Sequence, residues 1–339
     1  MVAAIRWAGS VAGAVVLTLV ATAPGRVSPT PAFDVVADGV PRPLQLAVDG
    51  TTLFVLAPAA VGDAAGELYR VDLAGELPVD LSRQPRLLVP FVDTHLAVLG
   101  SFAIRPSGRE LFLGEENGNR IYRLDDRGRL TLYATGLRWL SGGGTLTVDR
   151  DGHLIILDYA DPRLSEAQDR VPSWLEQFRD EDYRGPLVLR LALDASIPLP
   201  RHLERLPPLF PKGWGGRRGG GLLPRLISVA PLPSGDLAVL SSSGELFRLT
   251  PEGTLARYAS LPSGQYNRTT MASAPDGAVY VSGGFHMAAV FRVEPDGVVT
   301  AVGQNLGDPE GIAVDARGDL YVAESSLHRV VRVRSAAGR

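Results

Sequence analysis

Apolar and polar residues alternate in short runs along this chain, and the runs recur in a fixed phrase. Near the C-terminus it reads Asp308-Pro309-Glu310-Gly311-Ile312-Ala313-Val314-Asp315, then Gly318, then Leu320-Tyr321-Val322-Ala323-Glu324 and Arg329-Val330-Val331-Arg332-Val333. Period-two alternation around a tight glycine turn predicts two antiparallel strands, with a third to follow. Earlier copies carry the turn at Asp276-Gly277, Ser234-Gly235, Asp151-Gly152, Ser107-Gly108 and Asp49-Gly50. Gly235 to Gly277 is a step of 42 residues and Gly277 to Gly318 one of 41. About 40 residues per unit matches a four-stranded propeller blade, which must stack on copies of itself to bury both sheet faces. Fourth strands are expected at Leu130–Leu137, Leu255–Leu261 and Val298–Leu306.

Six copies are legible. The last stops after its third strand, near Arg334, whereas residues 33–40 read as a fourth strand with no blade before them. Pairing this segment with the last blade closes the ring and removes both open edges. The expected fold is therefore all-β, a six-bladed β-propeller of four-stranded blades over residues 33–335. Residues 1–24 read as a signal peptide, with Arg6, an uncharged run from Trp7 to Pro24 and an Ala-Thr-Ala box at 21–23. A membrane anchor over residues 7–24 is the alternative, although a span needs about 20 apolar residues. Residues 25–32 would be a linker. The expected location is secreted, periplasmic or otherwise extracytoplasmic.

Long insertions concentrate where second strands pass to third strands or where one blade enters the next. These positions share one face of a propeller. They are Ala57–Gly66, the stretch 158–185 with two expected short helices, and the Gly-rich loop 207–224. Trp174 and Phe178 in the second, and Trp214, Arg217 and Arg218 in the third, are candidate ligand contacts. Turns on the opposite face are minimal.

Composition then narrows the chemistry. A net charge of −3 gives no nucleic-acid footprint, and Lys212 is the only lysine. The absence of cysteine excludes disulfides, thiolate metal sites and cysteine nucleophiles. No Gly-x-Ser-x-Gly elbow is present. Aligning copies on the turn glycine places Ala57, Glu115, Asp158, Ser241, Gly283 and Glu324 at second-strand ends. Leu44, Gly100, Gly144, Ile227, Thr269 and Glu310 fall at the starts of innermost strands. Glu115, Asp158, Glu310 and Glu324, with Asn267 in an adjoining loop, are candidate oxygen ligands for Ca²⁺ or Mg²⁺. Acids at second-strand ends can instead pair with the arginine opening the next strand, and Arg120 and Arg329 are so placed. His95, His153, His202, His286 and His328 share no repeat position that would make a histidine metal site.

The phrase Pro309–Asp315 with Leu320–Glu324 and His328–Arg332 resembles an NHL repeat. Over residues 33–334 the chain is similar to the six-bladed group of NHL-repeat and SMP-30/gluconolactonase proteins. That resemblance implies an axial divalent ion, usually Ca²⁺, held by Glu, Asn and Asp at innermost-strand starts. Glu310 holds such a position here, while Leu44, Gly100, Gly144, Ile227 and Thr269 carry no carboxylate or amide. The reading is a monomeric, non-catalytic module that binds a small molecule or a protein on its long-loop face. It has no nucleic-acid partner and meets a membrane only through an uncleaved N-terminal segment. The alternative is a metal-dependent lactone or ester hydrolase of the gluconolactonase type.

Overall fold

A computed structural model describes residues 33–57, 65–84, 87–90, 99–105, 110–115, 119–137, 140, 143–158, 186–194, 196–210 and 226–335. The expected signal or anchor (1–24) and linker (25–32) lie outside these residues, as does most of the insertion 158–185 with Trp174 and Phe178. So do most of the loop 207–224, with Trp214, Arg217 and Arg218, and also His95. Among the described residues no helix is long and apolar enough to cross a membrane.

The first blade contains β2 (Gln45–Asp49), β3 (Thr52–Ala57), β4 (Ala65–Asp72) and β6 (Leu87–Pro90). The second contains β7 (Leu99–Ile104), β8 (Leu111–Glu115), β9 (Arg120–Leu124) and β10 (Leu130–Thr135). The third has β11 (Leu146–Val148), β12 (His153–Asp158) and β13 (Leu187–Ala192). The fourth runs β15 (Leu226–Pro231), β16 (Leu237–Ser241), β17 (Glu245–Leu249) and β18 (Leu255–Ser260). The fifth runs β19 (Met271–Ser273), β20 (Val279–Ser282), β21 (Ala289–Val293) and β22 (Val299–Gln304). The sixth joins β23 (Pro309–Val314), β24 (Leu320–Glu324) and β25 (Arg329–Val333) to β1 (Phe33–Asp38) from the other end of the chain.

The ring closes as the sequence predicts. β1 lies antiparallel to β25, with Phe33 opposite Val333 and Val35 opposite Val331. Asp34 adds ion pairs to Arg332 and Arg334 at 3.2 and 2.8 Å. Every innermost strand touches the innermost strands of both neighbouring blades, from β2 round through β7, β11, β15 and β19 to β23 and back. The core is accordingly six wedges, one between each pair of adjacent blades. Phe54, Leu56, Phe102 and Leu113 fill one such wedge, and Leu240, Val281, Phe291 and Tyr266 another. Burial of apolar area at roughly 25 cal/mol per Å² makes these wedges the main source of stability.

Blade composition departs from a uniform four strands. The third blade has three among the described residues, and two blades gain a fifth. β5 (Val79–Asp80) runs parallel to β1, and β14 (Arg201–His202) runs parallel to β10. Each added strand leads into a short 3₁₀ turn, Leu81–Arg83 or Leu203–Arg205. Both come from one phrase, Leu-Pro-x-x-Leu-x-Arg-x-Pro, at residues 77–85 and 199–207. Its second leucine, Leu81 or Leu203, is fully buried in the wedge beneath. Each strap therefore leaves its own blade and clasps the outer strand of the blade before it. Gly39 and Gly136 admit the straps: both have positive φ, and a Cβ there would lie 3.2 Å from the Ser82 and Glu204 amide nitrogens respectively.

At the hub, the residue after each innermost-strand start is Gln45, Ser101, Thr145, Ser228, Thr270 or Gly311. The five that carry polar side chains are buried. The Gln45 carboxamide donates to Phe102 O and accepts from Phe102 N, both at 2.8 Å, tying the first blade to the second. Thr270 Oγ1 donates to Glu310 O at 2.7 Å and accepts from Ile312 N at 2.9 Å, tying the fifth to the sixth. Gly311 is required for close approach, since a Cβ there would meet Gln45 Cα at 2.8 Å.

Candidate functional site

Antiparallel pairing brings the described ends of the second strands and the described starts of the innermost strands to one face. On that face the four candidate carboxylates take different fates. Glu115 is buried at the end of β8 and receives Arg120 Nε at 2.7 Å and Nη2 at 3.1 Å. Glu324, at the end of β24, receives Arg329 Nε at 2.6 Å and Gly307 N at 3.0 Å. Register makes both pairs, because Glu115 lies directly opposite Arg120 and Glu324 opposite Arg329. Asp158 closes β12 and is fully buried.

Glu310 is different. It sits one residue into β23, where pairing with β24 skips from Pro309 to Ile312 and leaves Glu310 and Gly311 in a bulge. Its backbone carbonyl is held by Thr270 and by the Ser282 hydroxyl at 2.6 Å. Its carboxyl is 1% exposed, and neither oxygen has a hydrogen-bond partner. Burial pushes its pKa up to about 7 and Asp308 adds to the rise, while the nearby Ser325, whose hydroxyl proton is spent on Pro43 O at 2.6 Å, and Arg268 and Arg42 pull it down. Leaving a buried polar group unsatisfied costs about 1–3 kcal/mol, more when it is charged. The neighbouring innermost-strand start holds a second orphan, the buried Thr269 hydroxyl.

Two arginines act on this carboxyl electrostatically. Arg42 lies in the loop entering the first blade and Arg268 in the loop entering the fifth. Their guanidinium carbons lie 5.9 and 5.1 Å from the ring centroid of Phe285, which follows β20. Both take left-handed backbone, φ 47° and 51°. Non-glycine residues in this region cost about 1–3 kcal/mol each and gather at functional sites. The Arg42 amide donates to His328 Nδ1 at 3.1 Å, and the Arg268 amide to Asn267 Oδ1 at 3.0 Å. Neither guanidinium forms an ion pair among the described residues. The sequence does not single out Arg42, Arg268 and Phe285, since no spacing links separate blade-entry and hairpin loops, and it places Thr269 at a strand start only as a residue without a carboxylate or amide. A basic residue three positions before an innermost strand, as at Arg42 and Arg268, is the available signal.

The described residues do not fit an axial divalent cation. Such an ion takes six or more oxygen ligands, and the innermost-strand starts offer only Glu310 and Thr269 side chains. The Gly100 and Gly144 carbonyls already accept from Gly143 N and Val229 N at 2.8 Å. Glu115 and Glu324 are neutralised, the exposed Asn267 carboxamide faces its neighbour's amide, and two arginines add positive charge. A different group has metal-compatible spacing: Asp149, Asp151 and His153, on the opposite face, place ligand atoms within 4.8 Å of one another. There Arg190 bridges Asp149 at 2.8 Å and Asp151 at 2.7 Å, and His153 Nδ1 lies 3.2 Å from Asp149. A cavity of about 310 Å³, lined by Gly50, Leu73, Asp315 and Arg317, also lies on that opposite face.

Comparison with known proteins agrees with this architecture. The NHL repeat model matches residues 306–332, the unit that carries Glu310 and Glu324. Among solved structures, a gluconolactonase from Xanthomonas campestris aligns at 17% identity over 89% of this chain and 88% of its own, TM-score 0.57. The calcium-binding protein regucalcin from Agrobacterium tumefaciens aligns at 13% over 89% and 93%, TM-score 0.55. Virginiamycin B lyase from Staphylococcus aureus aligns at 13% over 90% and 85%, TM-score 0.54. No curated protein sequence matches the chain significantly. Fold and repeat together define a six-bladed β-propeller that carries an NHL repeat and is structurally similar to gluconolactonase, regucalcin and lyase propellers.

Proposed function

We infer that this propeller is a binding module whose ligand enters the channel mouth on the long-loop face, without chemical turnover. One observation carries the reading: the buried Glu310 carboxyl, held in a bulge with no internal partner and overlooked by Arg42, Arg268 and Phe285. A fold that orders such a group at a cost supplies an interaction that a ligand completes. Two common routes to hydrolysis use a nucleophile with an adjacent base or a completed metal shell, and the described residues form neither around Glu310. Export through residues 1–24 is part of the same proposal.

The test is a thermal-shift screen of small polar metabolites on wild type, Glu310→Ala and Asp158→Asn. A ligand that stabilises wild type but not Glu310→Ala supports the site. Equal stabilisation of all three proteins removes it. The competing hydrolase reading draws on the same Glu310 and on the structural likeness to a gluconolactonase. Stoichiometric Ca²⁺ in purified protein, with chelator-sensitive turnover of a lactone panel, would replace the binding-module reading.

A further inference from the structure

We propose that the ligand taken at this mouth is a small carboxylic acid, its carboxylate held between the Arg42 and Arg268 guanidiniums and its inner oxygen meeting the Glu310 carboxyl. The inference rests on the reading of the mouth as a ligand site and names its chemistry. Two guanidiniums from different blades converge on one ring, Phe285, and neither is neutralised among the described residues. Planar guanidinium groups match a carboxylate in two-point geometry. The ring acts by position: it holds both cations over the channel instead of letting them extend into water.

The orphaned carboxyl explains the preference among anions. A carboxyl beside a carboxylate can share one proton between them, as paired acids in enclosed sites do. A phosphate dianion would set two negative charges against Glu310 whenever that group is ionised. Thr269 Oγ1, also without a partner, supplies a further donor at the channel end. The mouth thus offers two cations, a carboxyl that can donate, and a hydroxyl. That set suits an organic acid with a polar substituent next to its carboxylate.

Proton sharing has a consequence in pH. With Glu310 near 7, the proportion of its neutral form falls about tenfold between pH 6 and pH 8. Affinity for a carboxylate should fall with it. The charged and titratable groups facing Glu310 are Asp308 on its own loop, Arg42 and Arg268 on the loops entering the first and fifth blades, and His328 beyond Ser325. His286 is next along from Phe285. His328 is the one to control for, because its Nδ1 accepts from the Arg42 amide.

The experiment is isothermal titration of the full chain with glycolate, benzoate and inorganic phosphate in low-chloride buffer at pH 6, 7 and 8. Expected for wild type is binding of at least one carboxylate, several-fold weaker binding of phosphate, and about tenfold weaker carboxylate binding at pH 8 than at pH 6. Arg42→Gln/Arg268→Gln, which alters partly exposed side chains and leaves the wedges intact, should lose the heat. Glu310→Gln should keep carboxylate binding and lose most of its pH dependence, whereas His328→Gln should keep both. Carboxylate binding that survives in Arg42→Gln/Arg268→Gln, or phosphate bound more tightly than carboxylates, overturns the proposal. So does affinity that rises with pH. If no carboxylate binds but another metabolite binds in a Glu310-dependent way, the chemistry named here fails and the site stands. If nothing depends on Glu310, both fail.

Discussion

Glu324 and Glu310 belong to the same blade, are equally buried and stand fourteen positions apart, yet only one is chemically satisfied. β24 and β25 run in regular register, so Glu324 meets Arg329 across the ladder and its charge is cancelled at 2.6 Å. β23 breaks register at its start, so Glu310 meets nothing across the ladder. Regular pairing consumes a polar side chain, and a bulge releases one. The second and fourth blades bulge at the same place, at Gly100 and Ile227. What singles out the sixth is that its bulge carries an acid, and such a position is where an unspent functional group is to be sought.

The contrast can be broken most sharply at Arg329. Arg329→Leu leaves Glu324 buried without its counter-charge and should cost about 3–5 kcal/mol in chemical denaturation. A loss under about 1 kcal/mol would show that Glu324 is satisfied without the arginine. The next effect is on Glu310 itself and carries a sign. Its folded pKa of about 7 lies above the ordinary carboxylate value. Between roughly pH 4.5 and 7 the folded state therefore binds more proton than the unfolded chain, and stability falls as pH rises. The total is on the order of 3 kcal/mol, and Glu310→Gln should flatten the dependence in urea titrations at pH 5 and pH 8. A wild-type profile unchanged by Glu310→Gln would contradict the buried, unpaired state.

A smaller effect is expected from Glu324→Gln, about 1–2 kcal/mol, because Arg329 is partly exposed and can turn to water. If this substitution cost more than Arg329→Leu, the order of the comparison would be reversed. Smallest is the seam pair. Arg334, and after it Arg332, hold the Asp34 carboxyl below the usual carboxylate range at the exposed rim. Asp34→Asn should lower stability by less than about 1 kcal/mol, an effect reduced further by salt in thermal melts.

Much of the ring was legible because its signals are local. Gly50, Gly152, Gly235, Gly277 and Gly318 all have positive φ at the turns their sequence marks. The unpaired strand at residues 33–40 could be assigned to the last blade because an open ring would leave two edges. The straps were not read, although Leu77–Pro85 and Leu199–Pro207 spell one phrase. Their two-residue strands show no alternation, and their conformation is set by the neighbouring blade that they clasp. The candidate site was half legible for a related reason. Glu310, Glu115 and Glu324 look alike as residues at blade positions, and only the cross-strand register decides which of them keeps a free carboxyl. Arg42 and Arg268 meet over Phe285 through closure of the ring, a contact between residues 226 positions apart.

The straps also divide the ring mechanically. The sixth and first blades are fastened at the rim as well as at the hub, and so are the second and third, whereas among the described residues no strap joins the fourth and fifth. Slow amide exchange should therefore mark the two doubly fastened pairs. Fraying would begin in the sector of the fourth blade, next to the loop that carries Arg268, so the compliant side of the torus is also the side by which its mouth can widen.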